Sequence, residues 1–224
     1  RMEGIVTIDD IVQVVQEEAS EDMQKVGGME ALEGPYLDTG FLEMVKKRAG
    51  WLSVLFLGEM LTANAMARYE HEISSAVVLA IFIPVIVSIG GNSGSQASTL
   101  IIRALAVGDV RGWDWMKVLR REVVSGLALG AVLAVLGFGR VWIGHLATGQ
   151  YGEAAFGVGL TVGLSLLGVV LFGTTVGSML PFLLRRLNLD PASASAPFVA
   201  TLVDVSGLVI YFTLAKMILT GTLL

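Results

Sequence analysis

Polar and apolar positions are mixed over the first fifty residues and then separate into long apolar runs. In the mixed part, Ile5–Ile8 reads as a short β-strand followed by a helix start. Asp9 or Asp10 would cap that helix, and acidic residues in a first turn suit the helix dipole. The helix is expected to run to about Gly27, where Gly27-Gly28 stops it. A lone strand has no independent stability, so Ile5–Ile8 is expected to be the last piece of a domain whose earlier part lies outside this chain. Residues 28–40 form a loop punctuated by Gly34-Pro35, and a second short helix, about Phe41–Arg48, leads to Trp51.

Five apolar segments follow, each long enough to cross a hydrocarbon layer of about 30 Å at about 1.5 Å per residue. They run roughly Trp51–Tyr69, Ile73–Ile89, Val123–Ile143, Phe156–Leu184 and Phe198–Leu219. The expected fold class is therefore an all-α membrane protein. Pro84 to Asn92 and Pro197 to Asp204 have similar offsets, but this is too little for an internal repeat.

Composition supports lipid as part of the solvent. Of 224 residues, 54% are apolar and 16% charged, against about 25% charged in globular domains. The mean hydropathy is +0.73. The 27 glycines suit close approach of transmembrane helices. With no Cys there is no disulfide or thiolate metal site, and His71 and His145 are too far apart in sequence to suggest a zinc site. A bound metal would meet oxygen ligands, which suit Mg²⁺ and Ca²⁺.

Charge is distributed unevenly. Residues 1–50 hold 11 of the 20 acidic residues and 5 of the 15 basic ones, a net of −6 within an overall −5. That local excess argues against nucleic acid as a partner. Arg1–Glu3 leads into no apolar stretch of the kind that marks a signal peptide. Basic residues collect before the first span (Lys46, Lys47, Arg48), between the second and third (Arg103, Arg111, Lys117, Arg120, Arg121) and between the fourth and fifth (Arg185, Arg186). By the positive-inside rule those loops and the N-terminus are cytoplasmic and the C-terminus is outside, in a bacterial inner membrane.

Asp204 is the most informative residue, because it lies deep inside an apolar span. A carboxylate there costs about 2.5–3.5 kcal/mol on insertion scales and usually faces water or a partner. The alternative is that Thr201 or Ser206 holds it as structural glue. Ala200 lies at i−4 on the same face, and Ser195 and Pro197 mark the start of this span. In Pro84–Gln96 the glycines, Gly90, Gly91 and Gly94, loosen the helix. Asn92 and Gln96 place neutral amides at i,i+4, as pore lining or as helix glue. Glu17, Glu18, Glu21 and Asp22 repel one another at helical spacing. They form a solvated face, or a divalent ion bridges them to Asp190. Glu59 faces a side cavity or is protonated among helices, and Lys216 is expected to snorkel outward.

These motifs resemble the MgtE family of Mg²⁺ channels and transporters. The likeness is carried by Pro84–Gln96 with Gly90-Gly91-Asn92, by Ser98–Leu105, by Leu180–Arg186 with Asp190-Pro191, and by Phe198–Asp204. Gly4–Asp10 is similar to the end of a CBS domain. The resemblance implies a homodimer of five-helix subunits with one pore on the two-fold axis, embedded in lipid. In it, Asp204 of both subunits, the Ala200 carbonyls and Asn92 would hold a largely hydrated Mg²⁺. Gly91, Gln96, Thr201 and Glu59 would line the path. Residues 1–8 would be a CBS remnant, 9–50 a cytoplasmic connecting plug helix and linker, and 51–224 the pore domain. Glu18, Glu21, Asp22, Asp190 and Asp10 would form regulatory metal sites facing a cytoplasmic sensor domain that this chain lacks. Without it, inhibition by cytoplasmic Mg²⁺ is expected to be largely lost.

The expected function is Mg²⁺ movement into the cytoplasm. The alternative is a divalent-metal transporter coupled to H⁺ or Na⁺, and a third is a non-transporting scaffold. No nucleophile–base pair or metal-hydrolase motif appears in the spans, so catalysis is not expected.

Overall fold

The computed structural model describes residues 6–223, and throughout that range the regular structure is helical. α1 (Ile8–Val26) opens on a reciprocal cap: the Thr7 hydroxyl accepts from the Asp10 N–H at 3.3 Å, and the Asp10 carboxylate accepts the Thr7 N–H at 2.8 Å. The cap is therefore Thr7, not Asp9 or Asp10. Ile8 is helical and no strand occurs among the described residues; Ile5, and with it most of the segment expected as a CBS remnant, lies outside them. α1 ends as expected at Gly27-Gly28. Gly28 takes a φ of +75°, and a Cβ there would sit 2.9 Å from Trp51 Nε1 and 3.0 Å from Pro197 Cγ. Both the left-handed turn and the close approach demand glycine.

α2 (Phe41–Arg68) is continuous, so the short helix expected at Phe41–Arg48 is the first part of a longer one. The Lys47 ammonium holds the preceding loop by donating to the Ala31 carbonyl at 2.6 Å. Two short helices, α3 (Glu70–Ser75) and α4 (Val77–Ala80), lead to α5 (Ile83–Ala106). The span expected at Ile73–Ile89 is thus broken, and the long helix starts at Ile83 with Pro84 in its first turn, where a fixed φ and a missing N–H are tolerated. It does not loosen at its glycines. α6 (Trp115–Thr148), α7 (Ala155–Arg186) and α8 (Ala196–Leu219) complete the bundle. Ser195 caps α8, with its side chain accepting from the Phe198 N–H at 3.4 Å.

Four segments are long and apolar enough to cross a membrane: Val77–Ala106, Gly112–Thr148, Gly152–Arg186 and Ala196–Leu219. α2 is less apolar, because Glu59, Asn64 and Arg68 interrupt its run. It still lies alongside α8, from the Trp51–Phe198 ring pair at 6.0 Å to the stacked Tyr69–Phe212 pair at 4.7 Å.

Small residues bring α5 and α7 into backbone contact. A Cβ on Gly173 would stand 2.7 Å from the Gly90 carbonyl oxygen, and one on Gly177 would stand 2.8 Å from the Gly94 carbonyl carbon. Lipid offers no hydrophobic drive between helices, so this close packing is what holds them. Hydroxyls add cross-links: Ser95 donates to the Ala196 carbonyl at 2.9 Å, and buried Ser98 to the Ala194 carbonyl at 2.7 Å. Ser98→Ala leaves the fully buried Ala194 carbonyl without that donor, and is expected to cost about 1–3 kcal/mol in a detergent unfolding titration.

At the opposite end Tyr211 donates to the Leu79 carbonyl at 2.8 Å, and Lys216 pairs with buried Glu72 beneath the Tyr69 ring. Lys216 stays half-exposed, as a snorkelling lysine does, and its ammonium is held by the buried Glu72 carboxylate.

Candidate functional site

α8 begins at the end of the bundle where the C-termini of α1, α5 and α7 meet. Val26, Ile102, Leu180 and Leu184 pack around Ala192 and Ala194 there. About one and two turns into α8, Ala200 and Asp204 face α5. A Cβ on Gly91 would lie 3.2 Å from the Ala200 Cβ and 3.3 Å from Asp204 Oδ1. Gly91 is thus the residue that lets the α5 backbone reach the carboxylate. Its neighbours Gly90 and Gly94 meanwhile face Val169, Val199 and Val203 and fix the helix spacing.

Asp204 is half-buried, and among the described residues no side-chain hydrogen bond reaches it. The two hydroxyls that could have tied it down are otherwise engaged: Thr201 donates to Glu59 Oε1 at 3.1 Å, and Ser206 to the Leu202 carbonyl at 3.0 Å. Reading Asp204 as structural glue therefore finds no support in this geometry. An ionisable group left free inside an apolar bundle is the arrangement expected of an ion site.

Glu59 comes to the same region from α2. Gly58 lets the helices close, since a Cβ there would be 2.5 Å from Thr201 Cγ2. Two carboxylates, Glu59 and Asp204, therefore flank Thr201. Asn92 and Gln96 occupy an exposed face of α5; Asn92 lies 3.5 Å from the Ser88 hydroxyl. Among the described residues no three His, Asp or Glu side chains converge on one point.

The acidic positions of α1 separate into distinct roles. The Asp10 carboxylate is spent on the Thr7 cap, which holds it below its ordinary pKa. Glu17 accepts from Gln13 at 2.9 Å, and Glu18 is exposed. Glu21 and Asp190 are bridged by Lys25, whose ammonium stands 2.6 Å from Glu21 Oε1 and 2.7 Å from Asp190 Oδ2. The other Asp190 oxygen accepts the Ala192 N–H at 2.9 Å and caps the turn leading into α8. Lys25 thus occupies the point where a divalent ion was expected to bridge α1 to Asp190. The sequence signal for it was present in the Glu21–Lys25 i,i+4 pair, but its reach to Asp190 was not legible.

The titration of this cluster has a defined sign. Burial works to raise Asp190, but the Lys25 hydrogen bond and the Ala192 N–H outweigh it and hold the carboxyl below its usual value. Asp190 and Glu21 hold Lys25 charged well above its ordinary range. The tether is therefore complete at neutral pH. It weakens as pH falls through the depressed Asp190 value, and on the alkaline side only above the raised Lys25 value. Asp22, raised by burial and then by the Asp190 charge, takes up its proton earlier on the way down. Lys25→Met is expected to release the end of α1. Spin labels on Ser20 and Leu189 should give a broader distance distribution in the variant at pH 7, and in the unsubstituted chain only in acid.

The sequence profile of the family described as MgtE, divalent cation transporter, matches residues 83–214. The chain is also similar to three proteins named magnesium transporter MgtE. It is 41% identical to that of Thermus thermophilus over 98% of this chain and 47% of the relative. The Enterococcus faecalis protein is 35% identical over 96% and 45%, and the Bacillus subtilis protein 32% over 95% and 45%. The chain spans about half the length of these relatives.

Proposed function

The chain belongs to the MgtE family of divalent cation transporters, and from that premise we propose that it conducts Mg²⁺ through a pore completed by a second copy. The observation that carries the reading is Asp204, a carboxylate free of protein partners and reached by the α5 backbone at Gly91. One such group opposes half the charge of a divalent cation. Two, related by a two-fold axis between protomers, oppose all of it.

In this reading α2 is the fifth span, beside the four apolar ones. The basic ends of α2, α5, α6 and α7 face the cytoplasm, by their Lys and Arg content. The Ala200 carbonyl adds a neutral oxygen next to Asp204. Asn92 and Gln96, exposed on α5, offer amides that hold water without neutralising charge. That set suits Mg²⁺, which gives up its water shell reluctantly and keeps octahedral order. α1 acts as the plug: through Lys25 and Asp190 it grips the turn from which α8 carries Ala200 and Asp204. Glu18, Glu21 and Asp22 remain candidates for a divalent ion that would take over from Lys25.

A coupled carrier has one observation of its own, the Glu59–Thr201–Asp204 grouping, in which a proton could move between carboxylates. Mg²⁺ uptake into proteoliposomes, with and without imposed pH and Na⁺ gradients, separates the two. The channel reading expects uptake that follows the Mg²⁺ gradient and membrane potential alone. A rate that rises several-fold with a pH or Na⁺ gradient would assign coupling, and Glu59→Gln should then abolish it.

A further inference from the structure

At the basic end of the bundle, α6, α7 and the turn before α6 line a cavity of about 810 Å³. Its floor is apolar, with Leu119 of α6 and Phe182 of α7, and its rim carries Trp113, Trp115, Arg185 and Arg186. No acidic side chain lines it. The Arg185 side chain lies against Gly112, its Nε 3.9 Å from where a Cβ would stand. A third guanidinium, that of Arg111, stands 5.4 Å from the centroid of the Trp113 ring. Among the described residues none of these three arginines makes an ion pair. Exposed tryptophans beside guanidiniums that make no direct ion pair, above an apolar slot between helices, are the features of a membrane-interface site with a positive mouth.

We propose that this cavity binds one anionic phospholipid, its phosphate held by Arg185 and Arg186 and an acyl chain lying on Leu119 and Phe182. The charge of the rim selects the occupant. A zwitterionic lipid would gain the apolar slot but bring a cation of its own to the arginines. A guanidinium fork matches phosphate oxygens in two-point hydrogen bonds. The inference rests on the orientation proposed above only for which leaflet supplies the lipid, since the binding itself is independent of the transported ion.

Native mass spectrometry of the detergent-purified chain, titrated with dioleoyl phosphatidylglycerol or dioleoyl phosphatidylcholine, tests it. The unsubstituted chain should retain one phosphatidylglycerol with at least tenfold preference over phosphatidylcholine. Arg185→Gln with Arg186→Gln should weaken that adduct about twenty-five-fold, at roughly fivefold per cation near an anionic headgroup. Arg120→Gln with Arg121→Gln removes the same charge from the same end of the bundle outside the cavity, and should leave it unchanged. Leu119→Trp fills the slot with every charge intact and should also displace the lipid, which keeps the test decisive if the arginine variant does not stay monodisperse. Equal retention of both lipids by the unsubstituted chain, equal loss in the Arg120/Arg121 control, or full retention in Leu119→Trp would overturn the proposal. Mg²⁺ uptake is scored separately, so failure of the ion reading leaves this result interpretable.

Discussion

Gly177→Val is expected to prevent α5 and α7 from closing and to destroy most of the folded protein. A Cβ at 177 would run into the Gly94 carbonyl oxygen and lie 2.8 Å from its carbon and 3.0 Å from its Cα. All three are backbone atoms on a helix, so no side chain can rotate away. The helices must separate, and the cost is about 3 kcal/mol or more, at the upper end of overpacking penalties. Set against a total stability of about 5–15 kcal/mol, that is a large share. The separation also disturbs the approach of Gly91 to Asp204, because Gly91 and the displaced Gly94 lie on the same helix, α5. Monodisperse yield and melting temperature in detergent should fall together. Gly34→Val, where a Cβ meets nothing within 4 Å, is the matching control and should leave both unchanged.

Asp204→Asn is expected to remove ion selectivity while leaving the fold intact. The two side chains have the same shape, and no protein hydrogen bond is lost, because Thr201 and Ser206 spend their hydroxyls elsewhere. What disappears is the charge. At about 5 Å from a hydrated divalent cation, with an effective dielectric of about 20, one carboxylate contributes roughly 7 kcal/mol before its own desolvation is deducted. The remainder corresponds to a hundredfold or more in site occupancy, and a second copy doubles the loss. Preference for Mg²⁺ over Ca²⁺ should collapse toward unity in competitive uptake, with the melting temperature unchanged. A structural role for Asp204 predicts the reverse, a lower melting temperature and an unchanged ion ratio.

Several features of this fold were legible because they depend on neighbours in sequence. The end of α1 at Gly27-Gly28, the Ser195 and Pro197 start of α8, and the isolation of Asp204 within an apolar run are local patterns. The start of α1 is hard to place because Ile5–Ile8 are all β-branched and read like a strand, while the Thr7 and Asp10 pair three residues apart marks a reciprocal cap. The glycines of Pro84–Gln96 looked like a loosening of the helix. They are instead packing surfaces, as the matching four-residue spacing of Gly90 with Gly94 and Gly173 with Gly177 could have indicated. Lys25 with Asp190, Glu72 with Lys216, and Glu59 with Thr201 join residues far apart in the chain. Only the folded bundle sets those distances, and no periodicity in the sequence reports them.

Whether ions pass by way of Asp204 decides between a pore and a bundle that merely buries a carboxylate. The most direct measurement is Mg²⁺ entry into sealed proteoliposomes under an inside-negative potential and no pH gradient. The unsubstituted chain and Asp204→Asn would be reconstituted at equal density beside protein-free vesicles. Steady entry is expected through the first, and through the second an entry at least about a hundredfold slower that no longer favours Mg²⁺ over Ca²⁺. Equal entry through both would contradict a pore at Asp204, and would move the ion site to Asn92, Gln96 or Glu59.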